Sequence, residues 1–192
     1  MSLVLDREIW GLNPQGFHAT NILLHALNGI LIFLLFRRWM AAPFPLLAAL
    51  VWLTLPIHTE VVAWICGRGL SLATFFTLLS MLAALNYAER RSPKQLWLLA
   101  LASSAALLSH EIGIVAPALA LFAVVLHTPA PERRRTIIPV LIPCGVVLAA
   151  YTLLRIGIVR TGAPSTEGLP AILLRGRSAW RSTSGGRFTR LR

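Results

Sequence analysis

Long apolar runs, each bounded by a short cluster of basic residues, constrain this chain more than any other feature. The first runs from about Phe17 to Phe36 and stops at Arg37-Arg38. A second spans about Phe44 to Ile57, and a third about Leu70 to Ala88, ahead of Glu89-Arg90-Arg91-Ser92-Pro93-Lys94. The stretch from about Leu96 to His127 is interrupted by Ser109-His110-Glu111. A last run, from about Thr136 to Leu154, carries Pro139 and Pro143, which predict a kink. Crossing a bilayer core takes a helix of about 20 apolar residues. Charged residues are 13% of the chain and hydrophobic ones 56%, whereas a soluble domain is roughly a quarter charged. A soluble fold is excluded. The sequence predicts an all-α, polytopic transmembrane helix bundle of about six spans over residues 1–160, integral to a bacterial inner membrane or an ER membrane.

Charge placement sets the expected topology. Counting Leu96 to His127 as two short spans puts Arg37-Arg38, the Glu89 to Lys94 loop and Arg133-Arg134-Arg135 on one side. Counting it as one strands the triple Arg on the other side. Lys and Arg favour the cytoplasmic side, so two spans are expected, with the N-terminus, the Ile57 to Gly69 loop and the Ser109 to Glu111 break facing away from the cytoplasm. The net charge of +11 then reflects membrane topology and anionic headgroups, and gives no ground for a nucleic-acid partner. Met1 to Trp10 has no basic n-region and no cleavage site follows, so no signal peptide is expected. Residues 161–192 read as a basic, disordered tail, with eight Arg from Arg155 to Arg192 against Glu167 alone. Cys66 in a loop and Cys144 in an apolar run are not expected to pair.

Three features carry chemistry. His18, Asn21, His25 and Asn28 recur at i, i+3, i+7 and i+10 and so share one face of the first span. Polar groups at membrane depth face a bundle interior or a cavity, and two readings stay open: a pocket wall, or hydrogen bonds that hold helices together. The segment from Leu55 to Arg68 (LPIHTEVVAWICGR) places Glu60 and Arg68 at a membrane boundary, where each needs a partner or a charged ligand. The plain alternative is an interfacial loop with a snorkelling Arg. His110-Glu111 breaks a helical pair, either as a tight turn or as backbone lining a cavity. The topology puts His18, His58, Glu60, Arg68, His110 and Glu111 at one membrane face. No His-Glu-x-x-His spacing is present, so no metal site is assigned. No cofactor is called for, and a role for a divalent cation stays open. A phosphate-bearing ligand suits the set better, because an arginine offers a bidentate, charge-assisted contact.

The run from Leu12 to Asn28 (LNPQGFHATNILLHALN) resembles the early membrane region of GT-C-type glycosyltransferases, in particular the O-mannosyltransferase-like family with C-terminal tetratricopeptide repeats. Pro56 to Arg68 resembles that family's characteristic loop and is the most specific part of the match. Ser109-His110-Glu111 stands where the family has Ser-Lys-Glu, with Pro117 following, and Arg155-Ile156-Gly157 also fits. The resemblance covers about residues 9 to 162. It implies transfer of a sugar, mannose by the family's name, from a polyprenyl- or dolichyl-phosphate donor to an acceptor hydroxyl on the non-cytoplasmic face. In that chemistry a carboxylate deprotonates the acceptor and cationic groups hold the phosphate leaving group.

By motif match, Arg68 is a candidate phosphate contact with Glu60 as its neighbour. His58 and His110 are further donor-site candidates, His110 replacing the family's permanent cation with a titratable one. His18, Asn21, His25, Asn28, Glu60 and Glu111 are the expected polar lining. The family's acidic catalytic loop has no counterpart, and Asp6 lies too near the Asn13-Pro14 motif to replace it. The catalytic base is therefore unassigned, and the expectation is a fragment inactive on its own, whose Arg-rich end from about Pro170 matches nothing in the family. Two rivals remain: a non-catalytic membrane protein that binds lipid phosphate or a partner helix bundle, and a small transporter, although no internal repeat is visible. Expected partners are a polyprenyl-phosphate-linked sugar and membrane lipids, and the sequence sets no oligomeric state.

Overall fold

The computed structural model describes residues 2–11, 13–64 and 67–162, and all regular structure among them is helical. In chain order these are α1 (Ser2–Trp10), α2 (Pro14–Phe36), α3 (Phe44–Thr54), α4 (Ile57–Ala63), α5 (Arg68–Arg90), α6 (Pro93–Ser109), a 3-10 turn (Glu111–Val115), α7 (Ala116–His127) and α8 (Ala130–Gly162). The chain divides into two units, Met1–Tyr151 and Thr152–Arg192. Of the second, the described residues 152–162 are helical. The basic tail expected over residues 161–192 falls almost wholly outside the described residues, as do Cys66 and the side chain of Glu60.

Local chemistry sets most of the helix ends. Asn13 caps α2, its Oδ1 accepting from the Gln15 amide at 3.0 Å, with Pro14 as the first helical residue. Pro56 follows the extended Leu55 that ends α3. Arg91 closes α5 in the left-handed conformation, φ 52°, and Pro93 starts α6. The break at His110 is a real one. Its extended backbone ends α6, and its Nδ1 accepts from the Ile112 amide at 3.3 Å to start the 3-10 turn.

The expected count of six spans does not translate directly into six membrane-length helices. Among the described residues, three helices are long and apolar enough to cross a bilayer: Pro14–Phe36, Arg68–Arg90 and Ala130–Gly157. α3 has 11 residues and α6 has 17, about 16 and 25 Å at 1.5 Å per residue, short of a core about 30 Å thick. The last run is one helix that begins earlier than the hydropathy suggested and retains Pro139 and Pro143 inside it.

Within the first unit, α5 is the hub. Its small residues Ala73, Ser80, Ala83 and Ala84 are fully buried, which lets neighbouring backbones approach closely where lipid offers no hydrophobic drive for helix association. One side of α5 packs Leu78, Leu82 and Leu85 on Ile32 and Leu35 of α2 and Ala49 of α3. The other packs Ala83, Ala84 and Tyr87 on Leu99 of α6, Ala120 and Val124 of α7, and Val140 and Cys144 of α8.

Polar contacts fix the directions. Arg68 at the start of α5 meets Phe17 and Asn21 near the start of α2. Arg38, just past the end of α2, meets Asn86 and Glu89 near the end of α5. His127 at the end of α7 also reaches Glu89, 3.3 Å away, and Arg91 pairs with Glu132 of α8 at 3.4 Å. The unit therefore has a basic end, where these contacts cluster, and an opposite end formed by the starts of α2 and α5 and the break after α6.

Candidate functional site at the end opposite the arginine clusters

At that end the polar residues singled out by sequence form two adjoining features. The first is a buried polar knot. Arg68 is 2% exposed. Its Nε donates to Asn21 Oδ1 at 2.9 Å, its Nη2 to the Phe17 carbonyl at 3.0 Å, and its Nη1 lies 2.5 Å from Asp6 Oδ2. That last contact is an ion pair without hydrogen-bond alignment, because both atoms lack an aligned partner. Asn21 completes the knot by donating from Nδ2 to the carbonyls of Val62 and Trp64, at 3.3 and 3.2 Å. A single buried amide thus ties α2 to the segment leading into α5 while accepting from the arginine. Asn28, two turns further along, donates to the Ser71 carbonyl at 3.1 Å.

The second feature is a cavity of about 500 Å³ between α2, α3 and α4, lined by His18, His25 and His58 among apolar walls that include Ile22, Leu53, Leu55 and Val62. His25 stacks on Trp52, centroids 5.1 Å apart, and its Nε2 lies 3.1 Å from the Leu53 carbonyl. His58 sits 4.2 Å from the Trp52 ring and 5.4 Å from the His25 ring, centroid to centroid. Burial lowers the His58 pKa from its ordinary value, and the neighbouring His25 lowers it further.

The stripe is therefore shared between two jobs. Asn21 and Asn28 face packed backbone, while His18 and His25 face the cavity. Arg68 is not part of the cavity lining among the described residues, being enclosed by Asp6, Asn21 and Phe17. His110 lies beside the start of α5: a Cβ placed on Gly69 would stand 3.0 Å from the Ser109 carbonyl oxygen and 3.7 Å from His110 Cδ2. Glu111 is exposed at the start of the 3-10 turn. Among the described residues, no three His, Cys, Asp or Glu side chains are grouped to hold a metal ion.

Two contributors were not read from the sequence. Asp6 is the only Asp in the chain; a carboxylate ahead of an apolar run is ordinarily solvated, and no sequence signal marks it as the partner of a buried cation. Trp52 carried no signal either, since a tryptophan in an apolar run reads as lipid-facing.

Sequence comparison relates the chain to known proteins. A family model described as 6-pyruvoyl-tetrahydropterin synthase related domain, membrane protein, matches residues 8–160. The mouse protein O-mannosyl-transferase TMTC2 is 38% identical over 97 residues, covering 47% of this chain and 11% of that protein. Human protein O-mannosyl-transferase TMTC4 is 41% identical over 86 residues, 38% of this chain and 12% of that protein. Drosophila melanogaster protein O-mannosyl-transferase Tmtc1 is 32% identical over 117 residues, 60% and 14% respectively. The matches thus span little more than a tenth of these relatives' length. No solved structure matches the chain.

Proposed function

This chain belongs to the 6-pyruvoyl-tetrahydropterin synthase related family of membrane proteins, and on that premise we propose that it builds the donor-lipid pocket of a glycosyltransferase. It is a multi-pass membrane protein similar to proteins named for O-mannosyl transfer. The proposed donor is a polyprenyl-phosphate-linked sugar, mannose by analogy with those names, and the proposed acceptor a hydroxyl group.

The observation that carries the reading is the histidine-lined cavity at the end away from the arginines. Ile22, Leu53, Leu55 and Val62 offer an apolar wall to a prenyl chain. His18, His25 and His58 offer hydrogen bonds to sugar hydroxyls or phosphate oxygens, and the lowered pKa of His58 keeps that ring neutral near pH 7. Arg68 serves as a phosphate contact in this reading only by exchanging the Asp6 carboxylate for the donor phosphate. A phosphate offers the same fork of oxygens to a guanidinium.

Trp52 makes the reading testable, because it touches both His25 and His58. Titration of the detergent-solubilised chain with farnesyl-phosphate mannose is expected to quench tryptophan fluorescence saturably. The signal should be absent in Trp52→Phe, and the affinity should fall at least about tenfold in His25→Ala/His58→Ala, the loss of one to two hydrogen bonds. Equal binding of farnesol, which lacks phosphate and sugar, would overturn the proposal.

A further inference from the structure

The basic end holds a cavity of its own, about 550 Å³, where α2, α5 and α6 meet. Its wall is apolar: Leu31 and Leu34 of α2, Leu79 and Leu82 of α5, and Leu98 of α6. Its rim is polar, with Arg37, Arg38, Asn86, Glu89 and Arg90. Glu89 is the one carboxylate there, and it is already engaged by Arg38 and by His127. Arg38 is equally committed, since its second amino group donates to Asn86 at 2.6 Å. Arg37 and Arg90 are exposed and form no ion pair with any described side chain. Arg90 adds a weaker charge interaction with Glu89, which Arg38 and His127 hold more closely, and Arg37 lies 5.8 Å from the Phe33 ring centre, so Arg37, Arg38 and Arg90 together outweigh the single carboxylate over this leucine-lined groove.

We infer that this groove binds an anionic diacyl phospholipid, its acyl chain along the leucine wall and its headgroup phosphate between Arg37 and Arg90. Charge complementarity selects the headgroup, as basic pockets between membrane helices do. A guanidinium suits phosphate because its donors form a fork. The apolar wall selects a lipid over free phosphate. A zwitterionic lipid leaves the excess positive charge unbalanced. The site is separate from the histidine cavity and does not depend on glycosyl transfer.

The test is native mass spectrometry of the full chain in a non-ionic detergent, titrated separately with dioleoyl phosphatidylglycerol, dioleoyl phosphatidylcholine and inorganic phosphate. Phosphatidylglycerol is expected to bind saturably and at least about tenfold more tightly than phosphatidylcholine, with millimolar phosphate failing to displace it. An arginine near anionic lipid contributes about a fivefold factor in affinity, so Arg37→Gln/Arg90→Gln should weaken binding roughly 25-fold. Arg134→Gln/Arg135→Gln removes the same charge from the exposed first turns of α8 and should shift binding less than twofold. If the first pair does not yield monodisperse protein, Arg37→Gln alone carries the test with its roughly fivefold loss. Equal losses in the two double variants would reduce the effect to general surface charge and overturn the site. Equal binding of the two lipids, displacement by free phosphate, or a dimer in place of bound lipid would overturn it as well.

Discussion

Asp6 of α1 and Arg68 at the first turn of α5 form a buried ion pair, Oδ2 to Nη1 2.5 Å, with side chains 7% and 3% exposed. The pair ties the first helix to the hub helix, and the Asn21 amide holds the same arginine from the side. Removing one member of a buried pair strands the other charge, typically at about 3–5 kcal/mol, whereas removing both costs far less. Asp6→Asn is therefore expected to lower the melting temperature in detergent markedly. Adding Arg68→Met to it should recover part of that loss, less the hydrogen bonds from Arg68 to Asn21 and Phe17. A thermal-melt double-mutant cycle checks this, and strictly additive effects would show that the two residues do not interact.

Much of this was legible in the sequence, and for identifiable reasons. Apolar period and length located α2 and α5 to within a few residues, because membrane helices are long and uninterrupted. The Ser109-His110-Glu111 break was legible because three consecutive polar residues are costly inside a lipid-facing helix, so the helix ends there. The His18 to Asn28 stripe was legible as a face, but its division between packed backbone and open cavity was not. That division depends on where α3, α4 and the segment before α5 cross α2, which no one-dimensional pattern encodes. Arg68 was singled out as a cation needing a partner. Its partner lies 62 positions away in the sequence, on a helix whose apolar pattern is too short to have been assigned.

Two glycines give opposite expectations from the same substitution. Gly113 in the 3-10 turn packs against α6 so closely that a Cβ would stand 2.2 Å from both the carbonyl carbon and oxygen of Ala106. Backbone cannot step aside as a side chain does, so Gly113→Ala should destabilise by about 2–3 kcal/mol or more. Gly145 lies inside α8 with nothing within 4 Å of the same atom. Gly145→Ala should stabilise, by about 0.5–1 kcal/mol, through helix propensity alone. Melting temperatures of the two variants should move in opposite directions from the wild type. A neutral Gly113→Ala would mean that the break after α6 is not packed as described.

His58 gives a pH dependence with a definite sign. Its pKa is lowered in the fold, first by burial and then by His25, so between the lowered value and the ordinary one, near 6.5, the unfolded chain binds more protons. Stability from this group is full above that window and is lost as pH falls through it. Thermal melts between pH 7.5 and 5 should show an acid-side decline that is smaller in His58→Gln. An identical decline in the variant would assign the acid sensitivity to other groups.

The last expectation concerns which ends share a side of the membrane. His127 at the end of α7 reaches Glu89 at the end of α5, and Ser109 with His110 lies against Gly69 at its start. The stretch from Pro93 to His127 therefore goes to the opposite end and returns, although α6 is only 17 residues long. Single cysteines placed in a background lacking Cys66 and Cys144 report this directly. Lys94→Cys and Arg134→Cys should behave alike, protected from an impermeant maleimide in right-side-out vesicles and labelled once the membrane is permeabilised, as the positive-inside rule requires of the flanking arginines. Trp64→Cys and His110→Cys should label without permeabilisation. If Lys94→Cys and Arg134→Cys fell on opposite sides, the Pro93 to His127 stretch would be one crossing, and the pairing of His127 with Glu89 could not hold. If all four positions simply exchanged sides, the bundle would stand as described but in the reverse orientation. The histidine cavity would then face the cytoplasm, and its donor would have to be a lipid-linked sugar presented there.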